Sequence, residues 1–92
     1  MIGFIRHNKA DQVGVAVTDV TKGEMVEGWT MEDDSSSTVM ARQNIPLGHK
    51  IALSSLNKGE KVIKYGMSIG VASENFEVGD HVHTHNLKTT RW

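Results

Sequence analysis

The sequence of 92 residues has no cysteine, a single proline and no long apolar run. Without cysteine there can be no disulfide, no thiolate metal site and no cysteine nucleophile. Residues 1–8 contain too short an apolar stretch before the first charge for a signal peptide, and no segment approaches the ~20 apolar residues of a membrane helix. We therefore expect a cytoplasmic protein with no membrane contact.

The chain also lacks an excess of charge of one sign and any nucleotide-binding loop. Its formal net charge is -1, and Lys58, Lys61 and Lys64 are interleaved with Glu60, so no basic footprint for nucleic acid is present. No glycine-rich dinucleotide or Walker motif occurs. The length predicts one domain over residues 1–92, too small to enclose an active-site cavity alone. A catalytic role would then require a partner subunit or an oligomer.

A short pattern recurs four times in the chain. Each copy is a glycine, two polar or flexible residues and an apolar residue, and follows shortly after an apolar anchor. The copies are residues 23–26, 48–51, 59–62 and 79–82. Glycine allows the positive φ of a tight turn, and the residues after it start a strand. The repeat predicts a small all-β domain that uses one kind of corner four times.

The other segments agree with an all-β domain. Residues 12–18 and 67–72 alternate apolar positions with the period of two that is typical of strands. Residues 52–56 fit a strand end or one helical turn. The acidic and serine-rich residues 32–37 predict a solvated hairpin tip rather than a metal loop, since the spacing and glycine of a calcium loop are missing.

The most distinctive motif is a row of histidines near the end of the chain. His81, His83 and His85 are two residues apart and are followed by Asn86. In a strand, alternate side chains share a face, so the three imidazoles would line one surface. Imidazole is the commonest metal ligand and titrates near neutrality, which suits metal binding or proton transfer. A half-exposed strand carrying polar histidines without a role is the alternative.

Two further polar pairs lie beside glycine corners. His49 and Lys50 follow Gly48, and Lys64 and Tyr65 precede Gly66. The first pair would face a ligand together, or else act as a corner cap and a solvated charge. The second would hold a substrate carboxylate and supply a proton donor, or else be an ordinary strand end.

In residues 45–53, 59–70 and 79–86 the sequence resembles the N-terminal SAF domain of the altronate and galactarate dehydratases. In part of that family, including sulfolactate sulfo-lyase, the domain is a separate small subunit. The resemblance extends over about residues 5–92. It implies a β-clip fold and a larger dehydratase-like partner subunit that holds most of the substrate-binding and metal-binding surface.

The resemblance also implies β-elimination from a small anionic 2-hydroxy acid, assisted by a divalent metal, with Fe²⁺ expected, bound mainly by the partner. Two substrates fit: (2R)-sulfolactate, which yields pyruvate and sulfite, and a sugar acid of the altronate or galactarate type. The ending at 86–92 and the acidic insert after Trp29 favour sulfolactate. The alternative is a function that is not enzymatic: a non-catalytic SAF module that binds carbohydrate or assembles a larger protein.

Carried onto this chain, the resemblance points to two sets of site residues. His83 and His85 become the candidates for metal binding or acid/base catalysis, with Asn86 orienting them. The candidates for binding the anionic substrate are His49, Lys50, Lys64 and Tyr65. For His81, the remaining histidine of the row, we expect a structural role.

Overall fold

The computed structural model describes residues 1–64, 67–83 and 87–89. Within these residues the chain forms nine strands and no helix, which confirms the predicted all-β fold. The strands are β1 Ile2–Arg6, β2 Val13–Ala16, β3 Met25–Thr30, β4 Ser35–Met40, β5 Lys50–Ala52, β6 Lys61–Lys64, β7 Met67–Ala72, β8 His81–Val82 and β9 Leu87–Thr89. The described part of the chain therefore contains no helix that could cross a membrane.

The strands form two sheets. Six of them pair in the order β4-β3-β1-β2-β5-β8, and three pair in the order β6-β7-β9. Strands β1 and β3 run parallel, and the other pairings are antiparallel. Strand β5 thus lies between β2 and β8, which places the corner residues after Gly48 next to the histidine-bearing strand.

Two apolar clusters cover opposite faces of β2 and β5. The first cluster consists of Phe4, Ala16, Val20, Val26, Val39, Ala41, Ile45 and Ile51. The second consists of Val13, Ala52, Leu56, Val62, Ala72, Phe76 and Val82. Successive residues of a strand point to opposite faces, so in β5 Ile51 belongs to the first cluster and Ala52 to the second. Except for Lys50, the two strands consist of apolar residues and glycine, because both of their faces are covered.

All four predicted glycine corners are present. The corner glycines have φ of 88° to 95°, and each donates its N–H to the carbonyl of a buried alanine at 2.8 Å. The glycine and alanine pairs are Gly23 with Ala41, Gly48 with Ala16, Gly59 with Ala72, and Gly79 with Ala52. Each of these alanines lies four residues before an apolar anchor, so the full repeat is alanine, three residues, anchor, two residues, glycine, two residues and an apolar residue.

The acidic segment lies where the sequence predicts it, at the tip of the hairpin between β3 and β4. Its serines, however, belong to β4, since Ser35, Ser36 and Ser37 pair across the sheet with residues 28–30. Asp34 adopts a φ of 57° in the turn and accepts a hydrogen bond from Nε1 of Trp29 at 2.7 Å. Residues 52–56 form the end of a strand and a bend, with no helical turn.

Candidate functional site

Three histidine side chains meet where β5 pairs with β8. In this pairing Ile51 is opposite His81 and Lys50 is opposite Val82. Continuing the register by one residue places His49 opposite His83, and their ring centroids are 4.0 Å apart. The rings of His81 and His83 are nearly parallel, at 7° and 5.9 Å, so the predicted sharing of one face is confirmed for these two. We call His49, His81 and His83 the histidine cluster.

A short hydrogen bond links two members of the histidine cluster. Nδ1 of His49 lies 2.7 Å from Nε2 of His81. Such a contact requires a proton on one nitrogen and a lone pair on the other, so at least one of the two rings is neutral. One ring of this partly buried pair therefore donates its N–H to the other. This arrangement suits proton transfer.

The geometry of the histidine cluster is poorly suited to a metal ion held by these three residues. Their rings are stacked, with interplanar angles of 7° to 22°, so the nitrogens do not converge on a common point. Across residues 1–64 and 67–83 no group of three or more histidine or acidic side chains is placed to hold a metal. Two of the residues predicted to bind metal or orient the ligands, His85 and Asn86, lie outside the described residues.

The two predicted lysines lie on the other side of β5. Lys50 pairs with Val15 on β2 and Val82 on β8, the face of the second cluster, whereas His49 continues the row of Ile51. Burial lowers the pKa of the half-buried Lys50 ammonium, and the nearby charge of Lys64 lowers it further. Burial also lowers the pKa of Lys64, an effect opposed by the charge of Asp11. Two poorly solvated cations close together are suited to binding an anion.

The structure thus divides the predicted site residues. It joins His49 to His83 and separates both from Lys50 and Lys64. Tyr65 lies outside the described residues. His81, for which we expected only a structural role, is the residue hydrogen-bonded to His49. The alternation of the histidine row already placed it on the same face as His83, but nothing local indicated that β8 would pair with β5.

Comparison with known proteins now identifies the family. The altronate/galactarate dehydratase SAF domain matches residues 2–90, and the chain belongs to this family. The predicted resemblance and the predicted fold class are therefore confirmed.

Individual relatives are of two kinds. The chain is 42% identical to (2R)-sulfolactate sulfo-lyase subunit alpha of Chromohalobacter salexigens over 92 residues, covering 99% of the chain and 98% of that subunit. It is 52% identical to the same subunit of Paracoccus pantotrophus over 60 residues, covering 65% of the chain and 90% of that subunit. It is 37% identical to altronate dehydratase of Bacillus subtilis over 97% of the chain, but spans only 17% of that enzyme.

Proposed function

We propose that the chain is the small subunit of a two-subunit lyase that converts (2R)-sulfolactate to pyruvate and sulfite in the cytoplasm. The observation that supports this most is the extent of the similarity to sulfolactate sulfo-lyase subunit alpha, at 42% identity over 98% of that subunit. The altronate dehydratases are matched over only 17% and 16% of their length.

A larger partner subunit is part of the proposal. Most of each altronate dehydratase lies outside the region that matches this chain, and the sulfo-lyase relatives are named as alpha subunits. A divalent metal, with Fe²⁺ expected from the family, would be bound mainly by the larger subunit, since the described residues of this chain provide no three-ligand group. None of the steps assigned to this chain depends on that metal.

The elimination requires a base and an acid. A base takes the proton from C2, the C2–H electron pair forms the C2=C3 bond, and the C3–S bond breaks with its electron pair leaving on sulfite. The enol then gains a proton at C3 and loses its hydroxyl proton to give pyruvate. Histidine is suited to both roles near neutral pH. We propose that histidine side chains of this chain supply such groups, with His83, His85 and Asn86 at the edge of a site shared with the partner.

Lys50 and Lys64 are proposed to bind the anionic substrate together with Tyr65, which follows Lys64 in the chain. Both lysines are half-buried, and Lys64 is close enough for its charge to lower the pKa of Lys50. The pairing of Lys50 places it on the face of β5 opposite the histidine cluster.

A small subunit of a sugar-acid dehydratase is the second candidate. It is supported by 37% and 40% identity to two altronate dehydratases over 97% and 94% of the chain. In that reaction the leaving group is hydroxide, which needs proton donation as it departs.

Coexpression with the larger protein that copurifies with the tagged chain tests the proposal. We expect the complex to release sulfite and pyruvate from sulfolactate in equal amounts, and neither subunit alone to do so. Dehydration of altronate or galactarate by the complex without sulfite release would support the second candidate instead. A monomeric chain that binds sugar without any partner would contradict both and support a non-catalytic SAF module.

A further inference from the structure

Three of the four glycine corners are capped by an acidic side chain. The residue after the glycine accepts a hydrogen bond from the backbone N–H three positions earlier. The bonds run from Thr21 to Glu24 at 3.1 Å, from Asn57 to Glu60 at 2.8 Å and from Glu77 to Asp80 at 2.8 Å. At these corners the position after the glycine has a structural role.

The fourth corner has neither partner of this cap. Its donor position is Pro46, which has no N–H, and its acidic position is His49. The backbone bonds of the corner are nevertheless the same as in the others, with Gly48 N–H to Ala16 carbonyl at 2.8 Å and His49 N–H to Pro46 carbonyl at 3.0 Å. The alternative that His49 caps its corner is therefore wrong, and its imidazole is available to His81 and His83.

We infer that His49 is the proton-transfer residue of the lyase and that His81 is its positioning residue. The inference rests on the proposed function. When Nδ1–H of His49 donates to Nε2 of His81, Nε2 of His49 carries the lone pair that acts as base. Nε2 takes the C2 proton of the substrate as the C3–S bond breaks, and the resulting imidazolium returns a proton to C3 of the enol. The bond to the neutral His81 ring stabilises this imidazolium.

The first test uses single variants in the intact complex. His49→Gln should lower kcat by about 10²- to 10⁴-fold with a much smaller change in KM. His81→Gln should lower kcat by about 10- to 100-fold, as expected for a residue that orients another. His7→Gln, which changes a histidine outside the cluster, should leave both constants unchanged.

The second test separates proton transfer from structure. The double variant Pro46→Thr with His49→Glu restores the acidic cap of the other corners, so it should fold as stably as the parent and bind the partner, yet be as inactive as His49→Gln. Added imidazole should restore part of the activity of His49→Ala. Full kcat in His49→Gln, absence of rescue, or loss of activity through dissociation of the complex would overturn the inference. A complex of unaltered subunits without lyase activity would instead overturn the proposed function.

Discussion

At the scale of single residues, the corner glycines differ in how much space surrounds them. All have positive φ, but a Cβ at Gly23 would meet nothing within 4 Å, whereas a Cβ at Gly79 would collide with the carbonyl oxygen of Met40. The close approach arises because Arg42, two residues after Met40, donates its N–H to the Gly79 carbonyl at 2.9 Å. Gly79 is thus needed for both its dihedral angle and its lack of a side chain.

Substituting these two glycines separates the two requirements. Gly23→Ala should lower the free energy of unfolding by about 1 kcal/mol, because only the backbone dihedral is unfavourable. Gly79→Ala should lower it by more than about 3 kcal/mol, because the backbone must also move apart. Urea denaturation of the two variants measures the difference. Equal losses would mean that the contact with Met40 relaxes without cost.

At the scale of strands, the pleat of β5 determines which side chains can act together. His49 continues the row of Ile51 toward the histidine cluster, and Lys50 faces Val15 with Lys64 nearby. The sequence named His49, Lys50 and Lys64 as candidates, and it correctly placed a corner at Gly48. It could not predict their division between two faces, because that depends on the pairing of β5 with β2 and β8. The alanine of each corner was also missed, since its function is to offer a carbonyl to a glycine that is distant in the chain.

The half-buried lysines predict a dependence of stability on pH. The folded-state pKa of Lys50 is lowered by burial and by Lys64, so between that value and the unfolded-state pKa of roughly 10.4 the unfolded chain binds more protons. Unfolding free energy should therefore rise with pH through this window. Below the folded-state pKa the full cost of the buried charge is present. Lys50→Met should raise stability at neutral pH and flatten the rise, as measured by thermal unfolding at a series of pH values.

Lys58→Met, at an exposed corner position, is the matched control and should change neither stability nor its pH dependence. In the complex, Lys50→Met should raise KM for the substrate while kcat changes little. A variant that is less stable at neutral pH would contradict the assigned cause of the pKa shift. An unchanged KM would mean that Lys50 does not bind the substrate.

At the scale of the whole molecule, each of the two clusters is built from two copies of the same repeat. Isolated bridges join Val20 to Ile45 in one half and Leu56 to Phe76 in the other. Reciprocal amide and carboxylate caps strengthen the first pair, with Lys22 N–H donating to Asn44 and Leu47 N–H donating to Asp19. Between these corners, the described residues bring together no group of three or more histidine or acidic side chains that could hold a metal ion.

Metal analysis of the isolated chain tests whether it can bind iron without the larger subunit. After anaerobic incubation with Fe²⁺ and desalting, the isolated chain should retain far less than one iron per molecule, whereas the complex with its larger subunit should retain iron stoichiometrically. The stacked rings of the histidine cluster give no convergent set of nitrogens, which is the reason for the expectation. Stoichiometric iron on the isolated chain would mean that His83 and His85 bind the metal without the partner.

The sequence by itself determined the corners, the all-β class and the family. A corner depends on the dihedral angles that one glycine allows and on the few residues beside it, so it can be recognised locally. Only the tertiary structure decided that His49 would meet His81, since these residues are 32 positions apart in the chain. Their contact depends on which strand β5 pairs with and in which register, and that is set by the burial of two apolar clusters on opposite faces of the same sheet.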